Sequence, residues 1–209
     1  MTWDEYASAW SRLHGGFDPR TGSVFVRGWV RLAFTLGSPV SRRVGPTVVT
    51  MAGLVLCVLV PFAGLIPGAA LVLLGALADT LDGAVAVLTG RATRLGYVLD
   101  SVADRIGEAA WLAAFWVGGA QGWVVVAAGA ASWLHEYARA RATAAGMTEI
   151  GAVTVGERPT RVLIALFGLL AAGVSGHAPL ALTVAAAVWL ALAVIGLAQL
   201  AVAIRRAID

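Results

Sequence analysis

Apolar residues gather in six long runs, at 47–65, 68–88, 95–118, 123–142, 160–174 and 179–204. A helix needs about 20 mostly apolar residues to cross a bilayer, so the pattern predicts six membrane helices. Pro46 stands where the first helix would start, a position that loses nothing from the missing N–H. Pro67-Gly68, Gly118-Gly119, Gly173, Gly176 and Pro179 fall between runs and mark turns. The fifth run is short and is expected to begin nearer Glu157. Small residues recur in all six runs, which lets membrane helices pack closely. Residues 24–40 form a further apolar stretch, broken by Arg27 and Arg31 four positions apart on one helical face. That stretch predicts an amphipathic helix lying in the membrane interface; a seventh, poorly formed span is the alternative. Residues 1–12 mix polar and aromatic side chains and lack the apolar stretch of a cleavable leader.

Composition sharpens this picture. The chain is 59% hydrophobic with mean hydropathy +0.83, and only 13% of it is charged, against about a quarter for soluble domains. The expected architecture is an all-α integral membrane protein of one domain, 1–209. It would have an N-terminal and interfacial segment, 1–45, and a six-span core, 46–204. Cys57 is the only cysteine, so no intramolecular disulfide is available and a small buried hydrophobe is expected there. All 15 basic residues are arginines. Arg105 sits early in the third run, near the same side; the others lie before the first run, between the second and third, around the link between the fourth and fifth, and after the sixth. The three alternate loops, near Ile66, Ala120 and Ser175, have none. The positive-inside rule then places both termini on the cytoplasmic side of the cell membrane. No nucleic-acid partner is expected.

Charge of the other sign interrupts the second and third runs. Asp79 and Asp82 are three apart near the end of one; Asp100 and Asp104 are four apart near the start of the next. Each pair shares a helix face. A short hairpin at 89–94 would bring the pairs to similar depth, just inside the cytoplasmic surface. A carboxylate near a helix centre costs roughly 2.5–3.5 kcal/mol on the insertion scale, and four would repel one another. Hard divalent cations held by oxygen ligands would offset that charge, and two ions suit four carboxylates. A salt-bridge network with nearby arginines and a proton or ion path are the other readings. Gly83, Ala86 and Gly96 lie beside the acidic faces and leave room for a phosphate to approach.

These residues resemble the CDP-alcohol phosphotransferases, whose signature is Asp-x2-Asp-Gly-x2-Ala-Arg-x8-Gly-x3-Asp-x3-Asp. Asp79, Asp82, Gly83, Ala86, Gly96, Asp100 and Asp104 stand at its spacings, seven of eight fixed positions across 26 residues. The resemblance implies a CDP-linked lipid donor, most commonly CDP-diacylglycerol. It implies two Mg²⁺ or Mn²⁺ ions on Asp79, Asp82 and Asp100, with Asp104 near the second and also acting as the catalytic base. Thr47, Thr50, Gly83, Ala86, Thr93, Arg94 and Gly96 would contact the donor at a cytoplasmic site. The products would be CMP and a phosphodiester lipid. The signature's arginine is absent: Val87 occupies its place. Arg91 or Arg94 could supply the charge, in which case an arginine restored at 87 is expected to be neutral or helpful. A catalytically altered relative with a binding or regulatory role is the alternative.

Within that family, the segments EYARARATAAG from Glu136 and GERPTR from Gly156 are similar to actinobacterial phosphatidylinositol-phosphate synthases. The similarity implies a phosphorylated polar acceptor, with inositol phosphate first and glycerol 3-phosphate or another polar alcohol after it. Arg139, Arg158, Arg161 and Arg205 would grip the acceptor; the alternative is that they only mark the cytoplasmic side. His135, beside Glu136, is expected to make a structural hydrogen bond. Relatives of this kind are often homodimers, which leaves a homodimer open here.

Overall fold

The structure is a computed structural model that describes residues 1–147 and 154–208. The regular elements among the described residues are helices. They are α1 (Trp3–Leu13), α2 (Val24–Ser41), α3 (Pro46–Leu59), α4 (Leu65–Thr89), α5 (Arg94–Val117), α6 (Gly122–Ala144), α7 (Arg158–Val174) and α8 (Ala178–Ile208). A 3₁₀ turn follows α3 at Val60–Phe62.

Every expected run is helical, but fewer are plain spans than the six the pattern predicts. Among the described residues, α4 and α8 are long and apolar enough to cross a membrane, with mean hydropathy 1.9 and 2.5 over their apolar stretches. Helices α2 and α3 meet that standard only as a pair, bent by 109°. The shortfall is chemical. Helix α5 carries Arg94, Asp100, Asp104, Arg105 and Glu108, and α6 carries His135, Glu136, Arg139 and Arg141. Helices α3 and α7 are 14 and 17 residues long. The first run also breaks earlier than expected. The chain leaves α3 at Leu59 and passes Gly64 at φ +79°, and α4 begins at Leu65, with Pro67 in a first turn that needs no N–H. Apolar side chains such as Leu73, Leu74, Leu180 and Val184 stand exposed on α4 and α8, a surface that suits lipid rather than water.

The chain divides into two compact units, whose boundaries cut through α3, α4 and α5. The first comprises Met1–Val55 and Gly75–Asp104. Thr2 caps α1 by accepting from Glu5 N, while the Glu5 carboxylate accepts from Thr2 N at 2.7 Å, the reciprocal box that satisfies two orphan donors. Tyr6 of α1 packs with Val30 and Ala33 of α2 and with Ala84 and Val87 of α4. The Trp3, Tyr6 and Phe34 rings meet at 5.2–6.1 Å. Arg20 bonds Asp18 and reaches Ser8 and Asp4, tying the 18–20 turn to α1. Hydrogen bonds from Arg20 hold the Asp18 carboxyl below its ordinary range. Gly37 and Gly53 permit close helix contacts: a Cβ there would lie 3.1 Å from Ala84 Cβ and 3.0 Å from Ala78 Cβ.

The second unit comprises Leu56–Leu74 and Arg105–Asp209. Its core includes Cys57, Val72, Trp111, Phe115, Leu169, Leu182 and Trp189. Cys57 is buried, as expected. Trp189 donates its indole N–H to Ser132 Oγ at 2.8 Å, which satisfies the polar handle of a buried ring. Gly168 lets α7 approach its neighbours, since a Cβ there would sit 2.8 Å from Ala185 Cβ.

Candidate metal and transfer site

The acidic residues lie in the first unit, where the backbone explains their convergence. Gly90 follows the end of α4 at φ +65°, a left-handed position that glycine fills without strain. The Thr93 hydroxyl then accepts from Gly96 N at 3.0 Å and so caps α5. The chain thus leaves α4 and enters α5 within four residues. Asp79, Asp82 and Asp100 each place one carboxylate oxygen within 4.8 Å of the others. Asp104 lies outside that trio, one turn beyond Asp100 on α5, and is half-buried.

Asp82 is the deepest of the trio at 6% exposure, and its Oδ2 is buried without a hydrogen-bond partner. A buried carboxylate oxygen left unmatched is costly. A hard cation shared with Asp79 and Asp100 would satisfy it, and all-oxygen donors are the ligand set such cations take. The residues therefore fit Mg²⁺ or Mn²⁺.

The other donor-site candidates fall around this trio. Thr50 is buried beside the Asp82 carboxylate, with its hydroxyl donating to Pro46 O at 3.1 Å. Thr47 is exposed in the first turn of α3. Gly53 brings α3 against α4, and a Cβ there would lie 3.8 Å from Asp79 N. Gly83 faces open space, with nothing within 4 Å of a Cβ built on it. Ala86 is half-buried and Arg94 is exposed at the start of α5. Val87 is 6% exposed and belongs to the core made by α1, α2 and α4. An arginine there would displace core packing, which argues against the expectation that one is neutral or helpful. Arg91, one turn later, is exposed, and its Nη1 lies 3.7 Å from a Cβ built on Gly45. It therefore reaches the start of the segment that carries Thr47 and Thr50.

The acceptor candidates lie in the second unit, and they differ from one another. Arg161 is buried, with Nη1 at 3.1 Å from both Glu108 oxygens and Nη2 at 3.0 Å from Glu136 Oε1. Arg105 joins the same carboxylates, at 2.8 Å from Glu108 and 3.4 Å from Glu136. These are two cations against two anions, so the cluster is charge-balanced. Arg139 is half-buried and pairs with Glu157. Arg158 opens α7 with its guanidinium 5.9 Å from the Trp111 ring centroid. Arg205 is exposed in the last turn of α8. His135 is fully buried, with Nε2 3.0 Å from Thr154 Oγ1, the structural bond expected of it. Glu108, Thr154 and Glu157 carry this network, and sequence spacing singled out none of them as a partner.

Apolar helices and a carboxylate trio with a buried Asp82 define a membrane protein with a divalent-cation site. Residues 43–203 match the family model for CDP-alcohol phosphatidyltransferases, and the chain belongs to that family. It is thus a metal-dependent transferase of phospholipid biosynthesis. It is 38% identical over 175 residues to the phosphatidylinositol phosphate synthase of Mycolicibacterium smegmatis, covering 74% of this chain and 76% of the relative. Its fold is similar to the crystal structure of Mycobacterium tuberculosis phosphatidylinositol phosphate synthase with CDP-DAG bound. The TM-score is 0.70 at 29% identity, over 86% of this chain and 98% of that one. The same mycobacterial enzyme in complex with manganese and citrate matches with TM-score 0.69 and 30% identity, over 83% and 92% of the two chains.

Proposed function

We propose that this protein transfers a phosphatidyl group from CDP-diacylglycerol to a hydroxyl of a phosphorylated polar alcohol, with inositol phosphate as the leading acceptor, releasing CMP. The observation that carries the donor side is the convergence of Asp79, Asp82 and Asp100 within 4.8 Å, with one Asp82 oxygen buried and unmatched. These three carboxylates would hold the cations, and four acidic residues suit two ions. Bound Mg²⁺ or Mn²⁺ supplies positive charge to the donor diphosphate and to the charge developing on the departing CMP. Asp104, one turn along α5, is the group we assign to take the proton from the acceptor hydroxyl. Thr47, Thr50, Gly83, Ala86, Thr93, Arg94 and Gly96 form the donor-binding set. The open space over Gly83 supports it.

On the acceptor side, we assign Arg139, Arg158 and Arg205 to the phosphate and move Arg161 to the scaffold. Guanidinium groups match a phosphate monoester with forked donors, whereas Arg161 already meets two carboxylates in a buried setting. The relatives' names support inositol phosphate as acceptor. Six spans, α3 to α8, with α2 in the interface and both termini cytoplasmic, remain our topology; the arginine distribution supports it. A homodimer is compatible with it.

The second reading keeps the chemistry and changes the acceptor to glycerol 3-phosphate. A panel assay separates the two. Membranes holding the protein receive CDP-diacylglycerol with inositol, inositol phosphate, glycerol 3-phosphate or serine, and CMP release is read. Inositol phosphate should give the fastest release. Faster release with free inositol or serine would overturn the phosphate-acceptor reading, and no release with any acceptor would overturn the enzyme reading.

A further inference from the structure

Glu157 sits at the hub of a set of contacts that the proposed chemistry does not use. Its Oε1 accepts from Arg139 Nη2, from Thr154 N at 3.0 Å and from Thr154 Oγ1 at 2.9 Å. With its hydroxyl proton given to Glu157, Thr154 accepts from His135 Nε2 at 3.0 Å. Behind His135, Glu136 meets the buried Arg161 and Arg105. The 154–157 segment is also seated on α8. Val155 N donates to Gln199 Oε1 at 2.9 Å, and a Cβ on Gly196 would lie 3.0 Å from Gly156 Cα. Thus Glu157 is held by its own segment, and that segment is held by α6 and α8.

Arg139 gains a defined position from this. A guanidinium has five N–H donors, and Glu157 takes a bond from only one of its nitrogens. Arg139 Nε is buried with no hydrogen-bond partner among the described residues. A free arginine side chain loses much rotamer freedom when it grips an anion; a carboxylate that already fixes the group removes most of that loss in advance. Glu157 does not act as a competitor for the site, because two of its three bonds run to Thr154 and keep the carboxylate on its own segment.

We propose that Glu157 is a positioning residue for anion recognition, holding Arg139 in the orientation that receives the acceptor's phosphate. The proposal rests on the phosphorylated-acceptor reading above. Glu157 touches no reacting atom in this scheme and acts through Arg139.

The test is steady-state kinetics of the full chain in lipid-containing micelles, with CDP-diacylglycerol and inositol phosphate. Glu157→Gln should raise the acceptor KM about tenfold, the scale of one charge-assisted bond, and leave the donor KM within about twofold. Arg139→Ala should raise the acceptor KM at least as much, and the double variant should be no worse than Arg139→Ala alone. A purely structural role would instead lower kcat and raise both KM values together, and that result overturns the proposal. So does a lower acceptor KM in Glu157→Gln, which would make Glu157 a competitor. If Arg139→Ala raises the acceptor KM and Glu157→Gln does not, the positioning role fails and the acceptor reading stands. If neither variant changes it, both fail. Should Glu157→Gln not fold, Thr154→Val carries the same test, with a severalfold rise in acceptor KM expected and an unchanged acceptor KM overturning the proposal.

Discussion

Arg161 and Glu108 form a buried ion pair between α7 and α5, with Nη1 3.1 Å from each carboxylate oxygen and the two side chains 2% and 1% exposed. Breaking such a pair strands a buried charge and costs about 3–5 kcal/mol, while replacing both members with apolar groups is often neutral. Arg161→Met or Glu108→Gln alone should sharply lower the thermal unfolding midpoint in detergent. The double change Glu108→Leu with Arg161→Met should recover most of it, because Arg105 and Glu136 still pair at 3.4 Å. Equal losses in the single and double variants would contradict this account.

That pair also marks the limit of what the sequence pattern could disclose. The helices of the core and the aspartate spacing were legible, because apolar runs end at Gly and Pro and because i, i+3 and i, i+4 spacings place residues on one face. Glu108 and Arg161 are 53 positions apart, and nothing local couples them. The break after Leu59 was hidden, because Val60, Phe62 and Leu65 continue the apolar run through the turn. Helix α1 escaped the hydropathy pattern, yet Thr2 and Glu5 bear the capping-box spacing that could have shown its start. The burial of Val87 was also out of reach, since the residues that bury it come from α1 and α2. The spacing behind the convergence of Asp79, Asp82 and Asp100 was legible.

Val87 provides the second prediction. An arginine placed in its 6%-exposed position would bury a charge against Tyr6, Val30 and Ala33, a penalty of several kcal/mol unless paired. Val87→Arg should lower thermal stability and leave the donor KM no better than the parent's. Arg91→Ala should raise the donor KM, because Arg91 reaches the Gly45 end of the segment bearing Thr47 and Thr50. Arg94→Ala is the parallel case, from the first residue of α5. Should both alanine variants show the parental donor KM, neither arginine replaces the missing one.

Asp104 supplies the third. Asp104→Asn keeps the shape of the side chain and removes its basicity. Turnover should fall by roughly 10²–10⁴, the usual worth of general-base catalysis, while donor binding persists. Turnover near the parent's would remove Asp104 from the role of base.

The central claim is that Asp79, Asp82 and Asp100 hold the cations on which transfer depends. Its most direct test is CMP release from CDP-diacylglycerol and inositol phosphate, measured in excess EDTA and again after Mg²⁺ or Mn²⁺ is returned. The account requires release to stop on chelation and to recover on adding the metal, with no recovery in Asp82→Asn, since Asp82 is the buried member of the trio. CMP release that continues unchanged in EDTA, or full recovery of Asp82→Asn at the parent's metal concentration, would contradict it.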